Sequence, residues 1–406
     1  MHLIPSHEDR PADDPIFSLH QEATARKGRG ESVVDATIGV LLDESGELCI
    51  LPTAARAVRE VETSEWASYA PIAGTPEFRR AVIDDLLGSS ADLRASAVAV
   101  ATPGGSGALR HAVANFLEPG HAALTTSWYW SPYKTLCDES DRRLETFDMF
   151  SKSGVLDVGA LDTAMARQLA SQGRVLLFVN DPAHNPTGYS MSDDDWRSVV
   201  DVIAARAARA PVALVVDCAY MLYGPRTAQS LPPLLQPLLG SAAVLFAWSA
   251  SKSYTHYGLR VGALVACIGD ARERAMVESA LSYSCRGTWS NCNRGGQAAI
   301  TRLLCDRRLA DACSSERAAL RATLSARVDA FNDLGPQRGL SYPRYDGGFF
   351  VTVFDGSPKE KAASMREKGV YVVPQAIAGR GGALRVALCA VALRDVPRLV
   401  EALATA

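Results

Sequence analysis

Short apolar runs that recur between helical patterns constrain this chain more than any other feature. Ala97 to Ala101, Ala122 to Thr126, Val175 to Asn180, Val212 to Asp217, Val244 to Trp248 and Ala263 to Ile268 each read as a buried strand. Stretches such as Pro52 to Glu62, Thr75 to Leu87, Gly107 to Phe116 and Ser192 to Arg209 carry helical apolar spacing. Strands buried on both faces and alternating with helices predict an α/β sheet, mostly parallel, with helices on both sides. After about Arg307 the pattern changes to a long helix, then to strands near Gly348 to Phe354 and Ala383 to Leu388. That part reads as a smaller α+β domain, completed by an N-terminal arm with a short helix over residues 15–46. The expected division is 1–46 for the arm and part of the small domain, 47–307 for the large domain, and 308–406 for the small domain.

Composition narrows the function classes. The 406 residues are 48% hydrophobic and 21% charged, with a net charge of -3, which is ordinary for a globular protein and supplies no basic footprint for nucleic acid or anionic membrane. Nine cysteines occur without a CxxC pair or a Cys/His ligand cluster, so reduced thiols in a cytoplasmic protein are expected rather than a disulfide framework or a metal site. Met1 to Asp14 lacks the basic flank and apolar run of a signal peptide, and no apolar stretch is long enough to span a membrane.

In open α/β sheets, ligands bind beyond the carboxyl ends of the strands. The polar groups of this chain gather at those ends. Ser249-Ala-Ser251-Lys252 follows one strand and is succeeded by Arg260-Val-Gly262. A lysine after a buried strand, among small hydroxyls and near an arginine, suits a Schiff-base amine beside a phosphate. Pyridoxal phosphate (PLP) needs that combination. Gly104-Gly105-Ser106-Gly107 opens a helix, whose free N–H groups favour an anion. Asp217 could pair with a protonated pyridine nitrogen, Tyr220 and Asn185 could donate to the ring's 3-oxygen, and Trp130 could stack on the ring face. Arg385, a charge inside the strand pattern Leu384-Arg-Val-Ala-Leu, suits a bidentate grip on a substrate carboxylate, and Arg286 is a second candidate clamp. Each has a plainer explanation when taken alone: a Gly-rich turn, an N-cap aspartate, an Asn-Pro turn, a packed indole, a structural salt bridge, an exposed arginine. Their joint order along one chain argues for the site.

With these residues assembled, the chain resembles the fold type I, class I aminotransferases, in particular the aspartate and aromatic amino acid branch. Asn185-Pro-Thr-Gly188, Ser249-x-Ser-Lys252 with Arg260-Val-Gly262, and Arg385 are its most specific parts. Ile38-Gly39-Val40, Tyr69-Ala-Pro-Ile-Ala-Gly74, and Arg286 with Ser290-Asn291 support it. The resemblance implies the aspartate aminotransferase-like fold of PLP-dependent transferases. It implies Lys252 as the Schiff-base lysine and proton shuttle, Asp217 on the pyridine nitrogen, Tyr220 and Asn185 on the 3-oxygen, and Trp130 on the ring. Gly104, Gly105, Ser106, Ser249, Ser251 and Arg260 would serve the phosphate. Tyr69 would reach the phosphate of a neighbouring subunit, which implies a homodimer with shared sites. Arg385 would take the substrate α-carboxylate with Gly39 nearby, and Arg286, from the neighbour, a distal carboxylate.

Three departures bear on the substrate. Leu41, Leu42 and Leu48 stand where aspartate-directed relatives carry polar residues, Tyr133 replaces the family's histidine after the stacking tryptophan, and Trp248 adds bulk before Ser249. The expectation is therefore a transaminase that moves an amino group from aromatic, large apolar or dicarboxylic L-amino acids to a 2-oxo acid such as 2-oxoglutarate. One alternative is elimination, replacement or cyclisation in a specialised biosynthetic pathway on the same scaffold. A second is a non-enzymatic sensor, which would call for an added DNA-binding segment or a degraded lysine site.

Overall fold

The computed structural model describes residues 2–11, 15–225, 228–376 and 381–405. The chain divides into two compact units. One comprises Met1–Leu48, Leu324–Pro343 and Phe349–Ala406, and the other comprises Cys49–Thr323 and Arg344–Gly348. The later boundary falls inside the helix Arg307–Gln337 rather than at its start, where the sequence pattern changes. A helix of this length continues through its own backbone hydrogen bonds, so a change of packing partner need not interrupt it.

The first strand, β1 (Val34–Asp35), belongs to the smaller unit. The next seven build the central sheet of the larger unit: β2 (Ala97–Pro103), β3 (Ala122–Thr126), β4 (Arg143–Phe147), β5 (Val175–Asn180), β6 (Val212–Asp217), β7 (Ala243–Ser249) and β8 (Val261–Cys267). Their spatial order is β2-β8-β7-β6-β5-β3-β4. All neighbours are parallel except β8, which runs antiparallel to both β2 and β7. Every residue of β3, β5, β6 and β8 is buried. Alternate side chains enter two different cores: Val244, Phe246 and Trp248 join one, Leu245 and Ala247 the other. This period-two division explains why the strands read as unbroken apolar runs. The strand β4, with exposed or half-buried residues over most of its length, lies at the edge and has no such run to announce it.

Helix starts follow local chemistry. Thr75 caps Pro76–Leu87 by accepting from the Phe78 amide, and Ser192 with Asp195 closes a capping box on Asp193–Ala207. The helix Pro52–Arg59 is capped from far along the chain, since Glu316 accepts from the amide and hydroxyl of Thr53.

The smaller unit holds the helix Pro15–Gly28 and two small sheets. The strand β1 pairs in parallel with β10 (Val370–Tyr371); β9 (Phe350–Asp355) and β11 (Val373–Ala376) flank β12 (Gly382–Ala387), antiparallel to it. Arg327, fully buried, donates to the carbonyls of Leu42 and Cys389 and pairs with Glu44, which ties the N-terminal arm to the C-terminal segment. Among the described residues no helix is long and apolar enough to cross a membrane.

Candidate active site

The carboxyl ends of β5, β6 and β7 lie side by side in the larger unit, with Asn180 paired to Asp217 and Asp217 to Ala247. A pocket opens there. Its lining includes Gly105, Ser106, Trp130, Asn185, Asp217, Tyr220, Ser249, Ser251, Lys252 and Arg260. The larger unit thus brings together ten of the residues singled out from sequence, carried by five different strand-end segments.

Asp217 is the most constrained of them. Its Oδ2 accepts from the Tyr133 hydroxyl at 2.7 Å and its Oδ1 from the Ala219 amide at 3.1 Å. Burial pushes its pKa up, while the Tyr133 and Ala219 hydrogen bonds and the Lys252 charge hold it back. The Tyr133 hydroxyl is held well above its ordinary pKa by burial and by the Asp217 charge, so it stays a neutral donor. Its ring also meets Trp130 edge-on at 5.7 Å and Phe178 at 5.0 Å. A single buried tyrosine therefore supports both the acid and the indole.

Lys252 lies in the short helix Ala250–Ser253, and its Nζ stands 5.4 Å from the centre of the Tyr220 ring. Ser249 caps that turn by accepting from the Ser251 amide. Arg260, at φ 54°, donates to the Ser251 hydroxyl at 3.3 Å and to the carbonyls of Tyr257 and Pro103. Gly104 sits behind the lining at φ 70°, where a Cβ would come within 2.5 Å of the Arg260 Nη2. A Cβ on Gly262 would come as close to the carbonyl carbon of Gly104. Both glycines are needed so that two backbones and one guanidinium can converge. The helix Gly104–Phe116 begins here without a side-chain cap. Its first amides, the Ser249 and Ser251 hydroxyls and Arg260 form a donor set of the kind that holds a phosphate.

Sequence reasoning missed two members. Asn180 lines the pocket, donates to the Asp217 carbonyl at 3.0 Å and accepts from the Asn185 amide at 2.7 Å, fixing the start of the Asn-Pro-Thr-Gly turn. A polar residue closing an all-apolar strand was the available signal. Tyr133 enters the sequence argument only as a departure. Its bond to Asp217 spans 84 residues and leaves no local trace.

Two expectations about the substrate mouth are corrected. Trp248 does not face the pocket: it packs on Phe78 and Tyr254 in the core, and its indole donates to Asp85. Strand alternation decides this, since Ser249 takes the pocket side and its neighbour must turn away. Leu41 is fully buried in the smaller unit. Only Leu42, half-buried, and Leu48, exposed, offer apolar surface, and an antiparallel bridge joins them.

Gly39 and Arg385 belong to the smaller unit. The Arg385 guanidinium lies 4.7 Å over the Phe350 ring and donates to the Thr37 carbonyl at 2.6 Å. A Cβ on Gly39 would come within 2.5 Å of the same ring. Tyr69 is 86% exposed and does not line the pocket. Arg286, exposed in the last turn of the helix Ala271–Thr288, donates to the Ser290 hydroxyl at 2.6 Å.

Residues 31–403 match the family of class I and II aminotransferases. The aromatic-amino-acid aminotransferase of Pseudomonas aeruginosa is 29% identical over 92% of this chain and 93% of its own length. The tyrosine aminotransferase of Rhizobium meliloti is 30% identical over 73% and 75%. Among solved structures, an aminotransferase from Anaerococcus prevotii superposes with a TM-score of 0.92 at 28% identity, covering 100% of this chain and 98% of that one. The family match extends through both units and takes in the lysine pocket and Arg385. The chain belongs to the class I and II aminotransferases and is a PLP-dependent transaminase.

Proposed function

We propose that this transaminase accepts aromatic or large apolar L-amino acids together with dicarboxylic ones, and that 2-oxoglutarate is its amino acceptor. The convergence of Lys252, Asp217, Tyr220 and the phosphate-type donors in one pocket carries the transaminase chemistry, and the exposed Arg286 with the Leu42–Leu48 surface supports the substrate class. The residues present fit the cofactor: an amine for its aldehyde, a buried acid for its ring nitrogen, Tyr220 and Asn185 for its 3-oxygen, an indole for its face, and Ser106, Ser249, Ser251 and Arg260 for its phosphate. Bound there, PLP supplies an electron sink for charge developing at the substrate α-carbon.

The chain's own groups supply the rest. Lys252 would hold the cofactor through its Nζ, and the same amine, when free, would take and return the proton at the substrate Cα. Asp217 would hold the ring nitrogen in its protonated form, which is what lets the ring draw in negative charge. Tyr133 keeps the Asp217 carboxylate turned so that one oxygen is occupied by the hydroxyl. Arg385 grips the α-carboxylate, and Gly39, lacking a Cβ, makes room for the Phe350 ring over which the guanidinium lies. Arg286 meets the distal carboxylate of a dicarboxylic partner, while Leu42 and Leu48 give an aromatic side chain apolar surface.

The reading includes a cytoplasmic homodimer with shared sites. Trp66, Tyr69 and Ile72 expose large apolar surface on one short segment, and Met276 and Tyr283 on one helix, which a second copy would cover. A panel of amino acids scored by loss of the cofactor's absorbance, followed by its return with 2-oxoglutarate, tests the substrate class. The proposal expects aromatic or large apolar donors to match or exceed aspartate in kcat/KM. Reaction with aspartate alone, or release of ammonia instead of return by 2-oxoglutarate, would overturn it. Mixing Lys252→Ala and Arg286→Ala protomers should rebuild one working site per heterodimer for dicarboxylic substrates, and a fully active monomer in sedimentation would refute the shared site.

A further inference from the structure

Asp35 is a carboxylate buried to 5% exposure in the smaller unit, and nothing in the reaction uses it directly. Its Oδ2 meets the Nδ1 of His20 at 2.7 Å. Its Oδ1 accepts from both the amide of Thr37, at 3.1 Å, and the Thr37 hydroxyl, at 2.6 Å. Thr37 is fully buried, and its carbonyl receives the Arg385 guanidinium. The backbone at Ala36 is held on both sides, by the Tyr371 carbonyl and by the Ala387 amide.

We propose that Asp35 and Thr37 are positioning residues for the Arg385 carboxylate grip: Asp35 anchors Thr37 by its amide and side chain, and the carbonyl of the anchored residue sets the guanidinium. This rests on the reading of Arg385 as that grip. The argument is one of rotational freedom. An arginine has many rotamers, and a bidentate grip needs its planar fork in a single orientation. The Phe350 ring supports one face of the fork but does not fix its rotation in the plane of the ring. The bond from Nη2 to the Thr37 carbonyl does, provided residue 37 cannot shift. Two donors from residue 37 onto one carboxylate oxygen, with His20 on the other, hold its amide and side chain and so fix the Cα that carries the carbonyl. A buried carboxylate is costly to keep, and this one has its hydrogen bonds met by Thr37 and His20.

The test uses the PLP-loaded enzyme and two unreactive competitors of equal size, 3-phenylpropionate and its neutral amide. The ratio of their inhibition constants reads the carboxylate grip apart from general pocket integrity. Asp35→Ala and Thr37→Val should each shrink the wild-type ratio by about tenfold, as expected for a misdirected charged hydrogen bond. PLP affinity should be unchanged, Thr37→Ser should restore the ratio, and Asp35→Asn should restore it in part. Thr37→Val is nearly isosteric, so it carries the test should Asp35→Ala fail to fold. Arg385→Leu is the control. If it collapses the ratio while Asp35→Ala and Thr37→Val leave it intact, the inference is wrong and the grip stands. If Arg385→Leu also leaves the ratio intact, the grip itself is wrong and the inference falls with it.

Discussion

The proposed cofactor pocket and the proposed carboxylate grip are built in different ways. In the larger unit, the side chains taken for the pocket lie at or within a few residues of strand ends, and Asn180 links Asp217 on the adjacent strand to Asn185 in the following turn by bonds of 3.0 and 2.7 Å. In the smaller unit, Arg385 depends on a peptide 348 positions earlier in the chain, and Gly39 on a ring from β9. A pocket hung on sheet register tolerates change in its surroundings. A grip assembled from two distant ends of the chain depends on the shape of each. Chemistry common to the family can therefore persist in the first while the second is retuned for substrate.

The comparison can be broken or sharpened by experiment. Lys252→Ala should abolish both turnover and the borohydride-reducible cofactor adduct; an adduct persisting on another lysine would remove the pocket assignment. Asp217→Asn should still bind PLP but lose Cα deprotonation by about three orders of magnitude or more, on the scale of removing a central catalytic group. Stopped-flow deprotonation near the wild-type rate would contradict this.

Tyr133→Phe should weaken cofactor affinity by about tenfold, as loss of one hydrogen bond to a charged group implies. It removes an interaction that lowers the Asp217 pKa and so leaves that acid easier to protonate. Fluorescence titration of the apo-protein with PLP measures this, and Tyr133→His should recover much of the loss. On the substrate side, Arg286→Ala should depress dicarboxylate turnover by about tenfold or more while sparing aromatic donors. Equal harm to both classes would count against the dual reading.

The smallest expected effect concerns acid stability. Burial lowers the pKa of His184 to about 3 and of His111 to about 4. Unfolding frees both to bind protons from about pH 6.5 downward. The unfolded chain then holds more protons than the folded one, so their contribution to stability is present above pH 6.5 and is lost as pH falls toward 4. The raised acids Asp85 and Asp217 act with the opposite sign, so the difference between wild type and a variant isolates the histidine. Urea denaturation at pH 7 and pH 5 should show His111→Gln losing less stability than wild type, by at most about 1.4 kcal/mol per pH unit. An equal loss in both would show that His111 does not contribute.

Much of the larger unit was legible in the sequence because the signals are local. The strands β3, β5 and β6 match their apolar runs residue for residue, and a buried parallel strand must be apolar on both faces. Lys252, Asp217, Asn185, Arg260 and the Gly104 turn sit within a few residues of strand ends, and the fold class makes those ends one surface. In the smaller unit β9 and β12 were legible near Gly348 to Phe354 and Ala383 to Leu388, but the edge strand β4 and the short strands β1, β10 and β11 were not, because short or half-exposed strands carry no periodicity long enough to detect.

The substrate side divides in the same way. The sequence by itself determined which groups were available: an arginine inside β12, leucines in the arm, a tyrosine in place of a histidine. Only the tertiary structure decided what they face. Leu41 is taken by the core and Trp248 by the opposite side of its strand, whereas Tyr133 reaches Asp217 and Asp35 reaches Arg385 through Thr37. The physical reason is that a side chain's chemistry is intrinsic, while its partner is set by packing between segments that may lie hundreds of residues apart. No local pattern encodes a hydrogen bond of that kind.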